Sequence, residues 1–314
     1  MGYQCNILAD SVSPTGVRLT TFELTFPRFI LAEVNTHRMA SRNAASSRAR
    51  PLTKVIEGLL TDAVTPIFQK NRKGMQSTEP LTPAEQQAAA SYWYEWMTDS
   101  IARAEYMSDT WGIHKQWVNR PLEAWQWVTD IFSMTDLDNF FALRCHKDAQ
   151  PEFQIVAKMM RAAQQGSTPD KLEFGEWHLP LVYSEDRLSF HVSELVKISA
   201  GRCCRVSYLT HTGVRDPYED IALHDRLVRK GSEELAPMHM SPLEHQAFPV
   251  PPTDGRLSYR LDQLEATNPF GSQTPLPVVP KPGAIGYCGN FKGYIQYRKT
   301  LENENIEDCR QYLE

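Results

Sequence analysis

Residues 35–51 read NTHRMASRNAASSRARP, and what this stretch holds decides how the rest of the chain is read. His37, Arg38, Arg42, Arg48 and Arg50 fall within 14 positions, and no acidic residue occurs from Val34 to Ile56. Cations this dense repel one another unless a negative group sits among them. Arginine offers planar forked donors that match phosphate oxygens, and the interspersed Ser and Asn add short neutral donors. A solvated basic surface, or arginines paired with acids elsewhere, weighs equally at this point.

Upstream, YQCNILADSV and VRLTTFELTF are rich in β-formers and flank the turn residues SPTG, which predicts a hairpin over the first 27 residues. Downstream, Thr82, Pro83 and Glu85 give a capping box at the start of a long helix. A second helical pattern runs from Thr135 to Gln164, with Leu137, Phe140, Phe141, Leu143 and Ile155 as its apolar stripe and Pro151 expected to bend or split it. SELVKISAGRCCRVSY reads as a helix entering a short strand. DPYEDIALHDRLVRKG reads as a helix from an Asp216 N-cap to a Gly231 stop. HMSPLEHQAF repeats that start, with Ser241 as N-cap, Pro242 next and Glu244 at the third position. The region 249–289 is expected to be irregular, and a last helix is expected in TLENENIEDCRQYLE.

The 314 residues are 41% hydrophobic and include seven tryptophans, enough for a sizeable core, and no apolar run approaches the roughly 20 residues that span a bilayer. MGYQCNILAD carries no targeting signal, which places the protein in the cytoplasm as an expectation. A net charge of -5 argues against nonspecific coating of nucleic acid, so the basic stretch reads as a pocket. The six cysteines form no C-x-x-C pair, so no metal site is expected, and Cys203 and Cys204 read as packing thiols. No Rossmann or P-loop glycine pattern occurs in the right context. SPLEH is a weak second anion site at a helix start. Trp93, Tyr94 and Trp96 read first as core.

Beyond these readings, HRMASRNAASSR resembles the RHRxxSxNExSxR signature of the flavin-dependent thymidylate synthases, the ThyX type, through His37, Arg38, Ser41, Asn43, Ser46 and Arg48. Thr36 and Ala44 depart from it, standing where that family has Arg and Glu. LDNFFALRCHKDAQPEF is similar to the family's second motif at Phe140, Leu143, Arg144, Ala149, Gln150 and Glu152, with Ser133 and Thr135 in place of its preceding Asn-x-Arg. CRVSY, the helix after Pro217 and HMSPLEH resemble the family's N-terminal motifs but follow the signature, as in a circular permutant.

The resemblance implies an α+β fold, a mixed sheet with long helices, in one domain over 1–314. That domain would comprise a signature half (1–165), a permuted half (190–250) and an extra tail (251–314). It implies a homotetramer with FAD between subunits. The activity implied is transfer of a one-carbon group from methylenetetrahydrofolate, with NADPH as reductant, to C5 of a pyrimidine deoxynucleotide, dUMP first. It implies flavin contacts at His37, Arg38, Ser41, Asn43, Asn139, Ser207, His239, Ser241 and Glu244, and nucleotide contacts at Glu33, Ser46, Arg48 and Arg144. Arg144 and Ser46 would act on the reacting nucleotide. The two departures point also to another pyrimidine nucleotide or a hydroxymethyl product. A non-catalytic binder of nucleotide or single-stranded nucleic acid, and a structural protein with charge-paired arginines, are the competing readings.

Overall fold

Alternation of apolar residues in LTTFELTF and WVTDIFSM builds the sheet around which the protein folds. The computed structural model describes residues 2–74, 77, 79–207, 216–228, 240–252 and 287–301. β1 (Gln4–Val12) and β2 (Arg18–Pro27) form the expected antiparallel hairpin. β3 (Ser41–Ala44) and β4 (Trp127–Met134) extend it from β2, and β5 (Asp170–Lys171) lies parallel to β1, giving the order β3-β4-β2-β1-β5. Side chains alternate between the faces of a strand. Phe22, Leu24 and Phe26 of β2 and Val128, Phe132 and Met134 of β4 therefore share one face.

Helices α1 (Leu31–Val34), α2 (Leu52–Asp62), α3 (Pro83–Trp111), α4 (Lys115–Val118), α5 (Leu137–Arg144) and α6 (Pro151–Gly166) come from the first half of the chain. The second helical pattern is split: α5 ends at Arg144, and Pro151 opens α6 where its missing N–H costs nothing. Phe140 and Phe153 of this pair close the apolar face of the sheet. α3 starts with the expected Thr82–Glu85 capping box and ends at Gly112, whose φ of 64° is the left-handed stop that glycine adopts without strain. α3 packs with α2 and the 3-10 turn Arg120–Trp125 in a separate cluster around Met97, Ile101, Leu122 and Trp125.

The other sheet face is covered by the second half: α7 (Ser184–Ser189), α8 (Val192–Ser207), α9 (Pro217–Leu227), β6 (Ala247–Pro249), β7 (Tyr287–Cys288), β8 (Phe291–Lys292) and β9 (Tyr294–Gln296). Cys203 and Val206 of α8 meet Ile131 of β4, while Ala247, Phe291 and Tyr294 meet Leu19 of β2. Gly201 lets α8 approach α9, since a Cβ there would sit 2.3 Å from the Asp220 carbonyl oxygen. Arg202 donates to both Asp186 and Asp220 in this buried corner.

Two local expectations are corrected. The strand expected at CRVSY is helical through Ser207, because burial of Ala200, Cys203 and Val206 at helical spacing outweighs the β-preference of Val and Cys. Ser241 is not an N-cap: the residue before the 3-10 turn Ser241–Glu244 is Met240, without a side-chain cap bond. Glu244, which would close a capping box, is held by Arg298 instead. Asp216 does cap α9, accepting from the Tyr218 N–H at 2.9 Å. The Gly231 stop and nearly all of the expected last helix lie outside the described residues. No helix among the described residues is long and apolar enough to cross a membrane.

Candidate functional site

Strand β3 divides the basic stretch between two environments, because Arg42 and Ala44 point to the α5–α6 face while Ser41 and Asn43 point to the face under α8.

On the α5–α6 face, Arg144 Nε donates to His37 Nε2 at 2.7 Å, joining the two motifs that the sequence separates by 107 residues. The Arg144 guanidinium lies over the Phe153 ring, 4.6 Å from its centroid. Phe140 and Phe153 meet the His37 ring edge to face at 4.8 and 5.7 Å. Arg42 donates to the carbonyls of Val34 and His37 at 3.1 and 3.0 Å and so fastens the loop between α1 and β3. Burial, then the charges of Arg144 and Arg42, push the His37 pKa down to about 4, so the imidazole is neutral and accepts from Arg144. Glu33 supplies an opposing charge to Arg144. Arg38 and Asn139 are exposed, and Arg144 is half-buried with most of its five donors uncommitted.

Thr36, where the resembled family has Arg, reaches Arg144 with its hydroxyl at 3.4 Å. Ala44, where it has Glu, stands across from Asp130 of β4 on the same face. Asp130 is fully buried; its Oδ1 accepts from the Asn43 N–H at 3.0 Å, and its Oδ2 has no hydrogen-bond partner among the described residues. Burial raises its pKa to about 7 against the opposing pull of Arg42 and the Asn43 N–H. Sequence reading passed over Asp130; its signal was a lone carboxylate within an apolar strand.

On the other face, Ser41 Oγ accepts from Gln296 Nε2 at 2.8 Å and from Asn290 Nδ2 at 3.3 Å. Asn43 Nδ2 donates to the Cys203 carbonyl at 2.8 Å, and the Glu244 carboxylate is paired with Arg298. Cys203 and Cys204 are buried, and burial pushes both thiols up, Cys204 to about 11, which suits packing and not nucleophilic attack. Beyond them runs a buried polar chain in which His178 bridges Ser11 and Thr21, at 2.9 and 2.8 Å. Ser133 joins Thr21 and His245, at 2.7 and 2.8 Å. The tail's Asn290, Gln296 and Arg298, which reading of the sequence left unassigned, thus seal this side of the signature.

The turn at Ser46 and Arg48 is built from elsewhere. Asn119 Nδ2 holds the carbonyls of Ser47 and Arg50 at 2.7 and 3.0 Å, and Lys115 Nζ holds that of Ala49 at 3.2 Å. Arg48 is exposed and makes no ion pair among the described residues. No hydrogen bond or ion pair among the described residues links this turn to Arg144. His239 lies outside the described residues, and so does the side chain of Ser207.

The nine flavin positions that the resemblance implies therefore separate. Arg38 and Asn139 are exposed with donors that fit a phosphate-bearing group, while His37 is half-buried with its Nε2 occupied by Arg144. Ser41, Asn43 and Glu244 are committed inside the chain, and the four-residue turn at Ser241 is too short to offer a helix dipole.

The profile of the thymidylate synthase complementing protein family matches residues 11–170. No curated protein sequence matches. Among solved structures, the chain is similar to a UMP/dUMP methylase from Streptomyces cacaoi bound with 5-Br UMP. That likeness has 16% identity and a TM-score of 0.42 and covers 52% of this chain and 88% of that one. It is also similar to thymidylate synthase X from Helicobacter pylori with FAD and dUMP, at 20% identity and a TM-score of 0.32, covering 46% of this chain and 67% of that one. Both likenesses are too low for any residue's role to be carried across.

Proposed function

The chain belongs to the thymidylate synthase complementing protein family, and on that premise we propose that it transfers a one-carbon group to C5 of a pyrimidine deoxynucleotide, dUMP first. Methylenetetrahydrofolate would be the carbon donor, FAD the flavin and NADPH the reductant. The observation that carries the reading is the His37–Arg144 contact, which unites the two matched motifs around a half-buried cation with most of its donors uncommitted.

Arg144 is fixed by His37 and Phe153 and keeps most of its donors uncommitted, so it can hold a nucleotide oxygen without reorganising. Its charge favours the electron density that gathers on a uracil ring as C5 becomes nucleophilic. Neutral His37 orients Arg144 and leaves the positive charge of the site to the arginines. Ser46 and Arg48, on their own exposed turn, suit a second anion, and two anion sites agree with a phosphate-bearing substrate and a pyrophosphate-bearing cofactor. Arg38, His37 and Asn139 would hold FAD, which when bound supplies the hydride chemistry. The permuted order belongs to the same proposal: α8 and the Ser241–Glu244 turn pack on the signature strand β3 although they follow it in sequence.

Thr36 and Ala44 remove two charges from this face, and the Asp130 carboxyl is withdrawn into the core. That observation favours, as a second reading, methyl or hydroxymethyl transfer to another pyrimidine nucleotide. The test of both is the purified protein's absorbance with and without added FAD, followed by NADPH oxidation and product analysis with dUMP and other pyrimidine nucleotides. Colourless protein that FAD does not reconstitute overturns both.

A further inference from the structure

Helix α3 has two contrasting faces. Trp93, Met97, Ile101 and Ala104 turn inward to the cluster around Trp125. The outer face carries Tyr92, Trp96, Asp99, Arg103 and Tyr106, spaced alternately four and three residues apart, which is the 3.5-residue repeat of a coiled-coil seam. The three aromatics are 73%, 63% and 59% exposed. An exposed aromatic stripe of this kind marks an interaction surface and not a solvated face. Asp99 and Arg103 stand four apart on the same helix, yet neither makes an ion pair among the described residues.

We propose that this stripe is an interface with a second copy of the chain, two α3 helices packing antiparallel about a two-fold axis. One register satisfies every position: Asp99 faces the partner subunit's Arg103, Trp96 faces the partner subunit's Tyr106, and Tyr92 faces the partner subunit's Thr110. The symmetry makes each contact twice, as an isologous interface requires. Opposite charges occupy the two central layers and aromatic pairs flank them. A parallel in-register pair would instead set Asp99 against Asp99 and Arg103 against Arg103. This charge pattern selects a second copy of the chain in the antiparallel sense over an unrelated partner, and it stands independently of the catalytic reading.

The experiment is sedimentation velocity of the full-length protein across micromolar concentrations, comparing wild type, Asp99→Arg, the double variant D99R/R103D and Trp96→Glu, each checked for folding by circular dichroism. The three substituted positions, Trp96, Asp99 and Arg103, are all exposed, so the fold is expected to survive. Asp99→Arg replaces two attractive layers with like-charge layers and is expected to weaken this self-association by roughly a hundredfold. The double variant restores opposite charges and is expected to restore association. Trp96→Glu is expected to weaken it as well. If other faces build a larger assembly, the same substitution lowers its mass by one symmetric step. A wild type that stays monomeric, an Asp99→Arg variant of unchanged mass, or a double variant that fails to recover would each overturn the proposal.

Discussion

The two faces of β3 carry residues of one short motif to opposite ends. On the α5–α6 face, the partners of Arg42 and Arg144 fix geometry and leave most of the Arg144 donors uncommitted. On the α8 face, Ser41 and Asn43 spend their donors and acceptors on the tail and on Cys203. A polar residue in the signature is therefore not in itself a ligand contact. The pleat decides, and a partner supplied from 160 or 255 residues away can convert a motif residue into scaffold.

The contrast breaks most visibly at the far end of the sealed side. Arg202→Ala leaves the buried carboxylate of Asp186 without its main partner and weakens that of Asp220, which Arg205 still holds. Losing one member of a buried pair costs about 3–5 kcal/mol. Urea denaturation should show that loss, with any ligand affinity of the remaining folded protein unchanged.

Arg144→Ala is the mirror experiment on the open side. It removes charged donors that touch no buried carboxylate, so stability should move by less than about 1 kcal/mol, while dUMP binding measured by calorimetry weakens by about 1.5–3 kcal/mol. A variant that unfolds but binds normally when folded would reverse the assignment of the two faces.

Asn43→Ala sharpens the comparison within the motif itself. It removes a buried hydrogen bond to the Cys203 carbonyl, which still accepts within α8, and a bond of that kind contributes about 0.5–1.5 kcal/mol. If Asn43 instead served a ligand, the variant would keep its denaturation midpoint and lose affinity.

Much of this organisation was legible in the chain. The hairpin, the Thr82 capping box and the split at Pro151 follow from local turn and cap chemistry, whereas the resemblance grouped Arg144 with Ser46 and Arg48 and the structure joins it to His37. Two further features were not legible. Asp130 and the polar chain through His178 and His245 acquire meaning only from cross-strand register, which joins residues more than 80 positions apart. The aromatic residues of α3 looked alike as letters, yet Trp93 is packed among the core residues beside Trp125, while Trp96 meets Trp125 only edge to face and stays 63% exposed. Local patterns encode elements; which face of an element is sealed depends on partners that no local pattern announces.

Acid titration tests both faces at once. His37 on the open side is held down to about 4, and His178 and His245 on the sealed side to about 3, chiefly by burial. A histidine that stays neutral when folded but protonates near pH 6.5 when unfolded contributes stability that is lost as pH falls below that value. Asp130 has the opposite sign. Its carboxyl is raised to about 7, so the folded state holds a proton that the unfolded state has released, and this contribution grows as pH falls. Between pH 7 and 6 the three histidines together remove about 2 kcal/mol and Asp130 returns about 1, leaving a net loss of about 1 kcal/mol in the urea-derived stability. Asp130→Asn keeps an acceptor for the Asn43 N–H and removes the titration, so the loss over that interval should rise to about 2 kcal/mol. His178→Gln should reduce it. A profile that is flat in wild type and unchanged in Asp130→Asn would mean that neither face holds its titrating groups away from water.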